Sequence, residues 1–103
     1  MDRINKLQEM LTQSPGDSFL QHALALEFIK QGDDHLARRY FEELLNADPQ
    51  YIGSYYHLAK LLERSGDTSA AIKTYEKGME QAKRVQDQHA FNELRGAWEE
   101  LTF

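Results

Sequence analysis

A pattern that recurs after 34 residues constrains this chain of 103 residues more than any other feature. Residues of matching type align under that shift: Pro15 with Pro49, Leu24-Ala25 with Leu58-Ala59, Gly32-Asp33 with Gly66-Asp67, Ala37 with Ala71, and Glu42 with Glu76. A fixed period of this length is typical of arrays in which each unit is one pair of helices that stacks on its neighbours. The sequence therefore predicts two copies of a helix pair.

Each unit divides at its Gly-Asp dipeptide into two amphipathic segments. In the first unit, Leu20, Leu24 and Phe28 recur at helical spacing and predict a first helix over residues 18 to 31. Gly32 is placed to end this helix, because glycine readily takes the left-handed conformation of a helix C-cap. Either Asp33 or Asp34, which follow the glycine, is then expected to cap the second helix.

A proline ends the second helix of the first unit, but no proline does so in the second unit. That first-unit helix is expected to stop before Pro49, because the residue that precedes a proline avoids the α conformation. The second unit is expected to begin with a helix over residues 52 to 65. Lys83 takes the place of Pro49 after the 34-residue shift, so the last helix of the unit is expected to continue to about Val85 or Gln86.

Two further helices flank the units. Residues 2 to 13 carry Leu7 and Leu11 at the positions of Phe41 and Leu45 in the first unit, so this segment resembles the second half of a unit. An apolar stripe lies towards the other end of the chain. Its members, which we expect to point inward while glutamates point outward, are Phe91, Leu94, Trp98 and Leu101.

On these residues the chain resembles the tetratricopeptide repeat family, whose unit reads W-x2-L-G-x2-Y, then A-x3-F, then P. The matching positions are Leu24-Ala25, Phe28, Ala37, Phe41 and Pro49 in the first unit, and Tyr55, Leu58-Ala59, Leu62, Ala71 and Tyr75 in the second. The resemblance implies an all-α fold, a right-handed α-α superhelix of about six helices. We expect one domain over residues 1–103, divided into a half-repeat helix (2–16), repeat 1 (18–51), repeat 2 (52–85) and a capping helix (87–102).

Charge and composition exclude several classes of partner. The formal net charge of −5 repels a phosphate backbone, so we expect no nucleic-acid partner. No apolar run approaches the roughly 18 residues that span a bilayer, and the first residues lack the apolar core of a signal peptide. The absence of cysteine fits a reducing compartment. We therefore expect a soluble cytoplasmic protein that does not bind membranes.

No cluster of residues predicts catalysis or a bound cofactor. The glycines lie between helices rather than in a phosphate loop, and the serines lie at caps and turns without a recognisable base. The four histidines, none with the spacing of metal ligands, are His22, His35, His57 and His89. We expect no enzymatic activity, no metal site and no cofactor.

The resemblance also implies a binding surface. In the family, the first helix of each pair lines a concave groove that takes extended or helical peptides. The corresponding residues here are Phe19, His22, Ala23, Leu26, Ile29 and Lys30 in repeat 1, and Gly53, Tyr56, His57, Lys60 and Arg64 in repeat 2. A clamp for a C-terminal carboxylate is disfavoured, because His22, Leu26 and His57 stand where such a clamp has lysine or asparagine.

The expected function is a non-enzymatic scaffold or adaptor that binds a protein or peptide partner. One end of the expected lining is apolar and the other is mildly basic, which favours a peptide with a hydrophobic anchor and an acidic group. Tyr55 is expected to be buried, whereas Tyr56 points about 100° away and faces the partner. The alternative is a homodimer in which a second copy covers Phe19, Leu26 and Ile29.

Overall fold

The structure is a computed structural model that describes residues 2 to 103, and these residues form six helices and no strand. In chain order they are α1 (Arg3–Gln13), α2 (Ser18–Lys30), α3 (Asp34–Ala47), α4 (Gly53–Arg64), α5 (Thr68–Arg84) and α6 (Gln88–Thr102). The predicted all-α class is confirmed. The helices fall into two compact units, α1 to α3 up to Asp48 and α4 to α6 from Pro49. A single domain over the whole chain stays a prediction.

Aspartates cap most of the helices. The side chains of Asp17, Asp33, Asp67 and Asp87 accept hydrogen bonds from the backbone N–H groups of Leu20, Leu36, Ala70 and Ala90, respectively. Each cap satisfies an N–H group that no carbonyl within the helix reaches, which stabilises a helix by ~1 kcal/mol. The N-cap residue of α4 is Ile52, which has no side-chain acceptor. The recurring aspartates therefore explain where α3, α5 and α6 begin.

One turn geometry ends α2, α4 and α5. Gly32 and Gly66 have φ angles of 82° and 86°, in the left-handed region that glycine enters without steric cost. Gln86 occupies the same place after α5 with φ of 62°. The N–H of the following aspartate bonds back into the preceding helix each time, from Asp33 to Phe28 (2.9 Å), from Asp67 to Leu62 (3.0 Å) and from Asp87 to Ala82 (2.9 Å). α5 and α6 thus form a third hairpin of the same kind; the sequence pattern predicted both helices but not this turn geometry.

The core of the first unit lies between α2 and α3. Leu24 and Ala25 of α2 and Ala37, Phe41 and Leu44 of α3 are fully buried. The paired alanines allow the two helices to approach closely, and the larger side chains fill the space on either side. α1 adds Leu7 to this core. The inward stripe predicted for α2, which consists of Leu20, Leu24 and Phe28, is therefore confirmed.

The core of the second unit is centred on α5, which packs against both α4 and α6. Ala71, Tyr75 and Ala82 of α5 are fully buried. Gly78 lies among them and has no room for a side chain, because an added Cβ would stand 2.7 Å from the Cβ of Tyr55 and 3.0 Å from Cδ1 of Leu94. The predicted continuation of α5 is also confirmed, since the helix runs to Arg84 with Val85 as its C-cap.

The inward stripe predicted for α6 is only partly right. Leu94 is buried, and the second buried residue of the helix is Ala97 rather than a member of the stripe. Phe91, Trp98 and Leu101 are half-exposed. The reason is that α6 contacts the rest of its unit along the side of Leu94 and Ala97, which leaves the flank with the large aromatic residues in contact with solvent.

Candidate peptide-binding faces on α2 and α4

The exposed face of α2 is apolar. Phe19 is 63% exposed, and His22, Leu26 and Ile29 follow it along the same side of the helix in half-exposed positions. Ala23, which the sequence also predicts for this face, is the exception: it is buried and offers no accessible surface to a partner. Apart from Ala23, the residues predicted for the first repeat lie together on one accessible face.

The charges near this face belong to one cluster at the end of α2. Lys30 lies 3.5 Å from Oε2 of Glu27, and the same oxygen accepts a hydrogen bond of 2.8 Å from Nε of Arg3 on α1. Glu27 is largely buried, whereas the two cations are mostly exposed. The carboxylate of Glu27 therefore offsets part of the positive charge of Lys30, so this end of the face is less basic than the sequence predicts. The spacing of three residues between Glu27 and Lys30 is the sequence signal for this pair.

On α4, aromatic contacts hold Tyr56 in a half-exposed position. Its ring meets that of Tyr75 on α5 edge-to-face, with centroids 6.3 Å apart and an interplanar angle of 61°. It also meets the ring of His57 at 5.9 Å and 87°. Nζ of Lys60 lies 5.6 Å from its centroid, within the range of a cation–π contact. One part of Tyr56 thus belongs to the packing of the unit and another part is open to solvent.

A carboxylate also balances the charge of Lys60. Nζ of Lys60 lies 3.7 Å from Oε2 of Glu63, and this oxygen accepts a hydrogen bond from the hydroxyl group of the buried Tyr75. Burial, followed by this hydrogen bond and the charge of Glu63, raises the pKa of Tyr75 far above its usual value. Neither Glu63 nor Tyr75 was among the predicted site residues, although the spacing of Lys60 and Glu63 is that of a helical ion pair.

His57 adds no charge to the face of α4 near neutral pH. Burial, and after it the positive charge of Arg64, lowers the pKa of His57 below its ordinary value of 6.5. The imidazole is therefore neutral at pH 7. Arg64 at the end of the helix is exposed. The face of α4 thus combines an aromatic ring and a neutral imidazole with the side chains of Lys60 and Arg64.

The two tyrosines at the start of α4 differ as the sequence predicted in their degree of burial. Tyr55 is 4% exposed and its hydroxyl group donates a hydrogen bond of 2.6 Å to the carbonyl oxygen of Pro49. Tyr56, one position further, is half-exposed. Gly53, at the first turn of the helix, is exposed. The first tyrosine therefore anchors the chain that enters α4, and the second remains accessible.

Metal ligands and membrane-spanning segments were also sought. Within residues 2 to 103, no three histidine, aspartate or glutamate side chains are grouped so that they could hold a metal ion. In the same part of the chain, every helix is too short or too polar to cross a bilayer.

Comparison with known proteins identifies similar sequences and folds. Residues 28–94 match the tetratricopeptide repeat family model. A tetratricopeptide repeat domain protein from Salinibacter ruber, solved in solution, is 42% identical over 84% of this chain and 88% of its own, with a TM-score of 0.81. Among curated proteins, none matches this chain at a significant level.

Two solved structures of lower identity share the fold. The TPR2B domain of yeast Sti1, in a complex with pHsp70, superimposes with a TM-score of 0.88 at 15% identity, over 96% of this chain and 79% of its own. SycD, a type III secretion translocator chaperone of Yersinia enterocolitica, gives 0.86 at 15% identity, over 96% and 69%. These superpositions confirm the predicted fold class.

Proposed function

Because the chain belongs to the tetratricopeptide repeat family, a family of protein-interaction modules, we propose that it is a non-enzymatic scaffold or adaptor that binds a peptide or a partner helix. The proposed lining consists of Phe19, His22, Leu26, Ile29 and Lys30 on α2 and Tyr56, His57, Lys60 and Arg64 on α4. We further propose that it acts in the cytoplasm, in keeping with a chain that has no cysteine.

The accessible apolar face of α2 carries this proposal. Phe19 is 63% exposed in the free protein, so most of its apolar surface is in contact with water. Burial of such a side chain against a partner contributes about 1.5–3 kcal/mol to binding. Tyr56 supplies a second anchor, and its contacts with Tyr75 and His57 hold its ring before a partner arrives. A ring that is already ordered loses less conformational entropy on binding.

The proposed partner has apolar or aromatic anchors and at most a modest acidic character. Lys30 and Lys60 each have a carboxylate within 4.0 Å, so they attract an acidic group less than unpaired lysines would. Arg64 is exposed, and His57 is neutral near pH 7. A partner with at most one carboxylate therefore complements this face better than a partner with an acidic run.

Peptides selected from a displayed random library against the purified chain would test the proposal. We expect Phe19→Ser and the double variant Lys60→Ala/Arg64→Ala each to weaken binding of the best peptide at least tenfold. The matched control is Lys73→Ala/Lys77→Ala, which removes the same charge from exposed positions on α5. Unchanged affinity in both site variants, with circular dichroism that matches the parent chain, would show that the site is wrongly assigned.

A homodimer formed through the same apolar face is the second candidate, and the exposure of Phe19 favours it as well. Light scattering separates the two. Dimerisation that Phe19→Ser abolishes supports this alternative, and a monomer at high concentration rejects it.

A further inference from the structure

A second accessible surface lies on α5 and α6, and we call it the α5–α6 groove. It is defined by Glu76 and Lys83 on α5 and by Phe91 and Trp98 on α6. Nε1 of Trp98 donates a hydrogen bond of 3.0 Å to Oε2 of Glu76 at one end. Lys83 and Phe91 line a surface cavity of about 240 Å³ at the other end, beside the turn. The two ends are seven residues apart on each helix, which is about 10 Å.

The groove carries aromatic side chains along α6 and is incompletely covered. The ring of Phe103, which is 92% exposed, lies edge-on to that of Trp98 with centroids 5.9 Å apart. Phe91 and Trp98 are half-exposed. The aromatic side chains of α6 and of its C-cap residue are thus all at least partly accessible. Aromatic residues at the centre of an accessible patch are typical of protein interfaces.

A comparison of α6 with α4 indicates what kind of partner this surface fits. α4 carries Tyr55-x2-Leu58-x3-Leu62, and all three residues are buried. α6 carries Phe91-x2-Leu94-x3-Trp98, with the same spacing and similar sizes, yet only Leu94 is buried. The side chains that are covered on the helix of a complete repeat are thus open on α6. A helix of a partner that packs against α6 would cover Phe91 and Trp98, as Tyr55 and Leu62 are covered on α4.

The charges of the groove point to a second copy of this chain. We propose that two copies associate through their α5–α6 grooves in an antiparallel arrangement about a two-fold axis. Lys83 of each copy then lies opposite Glu76 of the other, and Phe91 of each copy lies near Trp98 of the other. Because Lys83 and Phe91 form one end of the groove and Glu76 and Trp98 form the other, the surface is complementary to itself, as a two-fold interface requires. Asp87 also lines the Lys83 end, where its carboxylate accepts the N-cap hydrogen bond from the N–H of Ala90.

Two further charged side chains lie near the middle of the groove, and each is paired within its own helix. On α5, Oε2 of Glu80 accepts a hydrogen bond of 3.2 Å from Nη2 of Arg84, which offsets the repulsion between the Glu80 side chains of two copies. Arg95 lies between Phe91 and Trp98 in sequence, but Nε of Arg95 donates a hydrogen bond of 3.1 Å to Oε2 of Glu99 on the same helix. Each chain carries a net charge of −5, which repels a second copy at long range. A groove two helical turns long buries less than about 1,200 Å² in total, so the association is weak and concentration-dependent.

This association is independent of the function proposed above, because it uses α5 and α6 rather than the faces of α2 and α4. A variant that no longer dimerises through the groove is expected to keep peptide binding, and a variant that no longer binds peptide is expected to keep dimerisation. Variants of Phe19 therefore separate a dimer through the groove from one through α2.

Trp98 is the only tryptophan of the chain and reports directly on the groove. From ~1 µM to ~1 mM protein, its emission is expected to shift to shorter wavelength as the second copy excludes water. Sedimentation equilibrium is expected to show dimers over the same range. A monomer with an unchanged emission maximum at the highest concentration overturns the proposal.

Two charge reversals test the arrangement itself. Lys83→Glu places like charges opposite each other in a homodimer, and so does Glu76→Lys, so each variant alone is expected to dimerise at least tenfold more weakly. An equimolar mixture of the two variants restores opposite charges at both contacts and is expected to dimerise. Lys77→Glu, which changes the same charge at another exposed position of α5, is the control.

The charge-reversal results are decisive in either direction. Circular dichroism first establishes that both variants are folded, and Lys83→Glu, which alters an exposed side chain, is the safer of the two. If Lys83→Glu dimerises like the parent chain, or if the folded variants fail to associate when mixed, the antiparallel arrangement is wrong.

Discussion

Gly78 of α5 lies directly against Tyr55 of α4, so that a Cβ on the glycine would stand 2.7 Å from the Cβ of the tyrosine. The tetratricopeptide repeat usually has alanine at this position. In this chain α4 and α5 therefore approach each other more closely than alanine permits. The same Cβ would also stand 3.0 Å from Cδ1 of Leu94 on α6. A single missing methyl group thus lets three helices of the second unit meet.

Gly78→Ala is therefore expected to destabilise the protein although alanine favours helix formation. The gain in helix propensity is about 1 kcal/mol, whereas the clash involves a Cβ atom, which cannot move away without its backbone. We expect the free energy of unfolding to fall by about 1–3 kcal/mol. Chemical denaturation measures this value.

Gly96→Ala is the matched control, because an added Cβ at this helical position meets nothing within 4 Å. This substitution is expected to raise the free energy of unfolding by about 0.5–1 kcal/mol. Equal effects of the two substitutions would contradict the close contact at Gly78.

The turn after α5 carries strain that glycine would relieve. Gln86 has a φ of 62° where the equivalent turns have Gly32 and Gly66, and a side chain in the left-handed region costs about 1–2 kcal/mol. Gln86→Gly is expected to raise the melting temperature, and Gly66→Ala to lower it. A lower melting temperature for Gln86→Gly would show that the contacts of the Gln86 side chain stabilise the fold by more than the left-handed backbone conformation costs.

Tyr75 links stability to alkaline pH. Because its pKa is raised in the folded protein, the folded state keeps the proton while the unfolded state loses it near the ordinary value of 10.0. Stability is therefore expected to fall as pH rises above about 10. Tyr75→Phe removes this contribution and also a hydrogen bond to a carboxylate, which costs about 1.5–3 kcal/mol at pH 7. Denaturation of both proteins from pH 7 to 11 measures the difference, and identical pH dependence would contradict it.

His57 makes stability depend on pH in the acidic range, because its pKa is shifted in the opposite direction to that of Tyr75. Its pKa is lowered in the folded protein, first by burial and then by Arg64, so the unfolded state takes up a proton before the folded state does. Stability is expected to fall as pH drops below about 6.5. His57→Gln removes this part of the fall. In addition, Arg64→Gln is expected to raise the pKa of His57, which NMR titration of its ring protons would detect; an unchanged pKa would mean that burial acts alone.

Much of the fold could be predicted because its determinants are local and recur. The glycines at 32 and 66 mark turns with positive φ, the aspartates that follow them cap the next helix, and Pro49 ends α3. Each of these residues acts on the backbone within a few positions, so its type and spacing suffice. The apolar stripes of α2 to α5 follow from the same helical period.

The rest depends on packing that spacing does not contain. Gln86 has no intrinsic preference for the left-handed conformation, so the sequence predicted α5 and α6 but not the geometry of the turn between them. The apolar stripe on α6 was predicted to face inward, but the spacing of apolar residues does not determine how many neighbouring helices pack against them. The hydrogen bond from Tyr75 to Glu63 also needs the geometry of two helices, since Tyr75 lies on α5 and Glu63 lies on α4. The burial of Ala23 follows from the position of its neighbours in the same way.

The most direct test of the central proposal is to map, by NMR, which amides of the chain respond to a selected peptide. At 12.0 kDa the chain is well suited to such spectra. The account predicts that the largest chemical shift changes fall on α2 and α4, around Phe19, Leu26 and Tyr56. Changes centred instead on Arg39 of α3 and Lys73 of α5, with α2 and α4 unaffected, would contradict it.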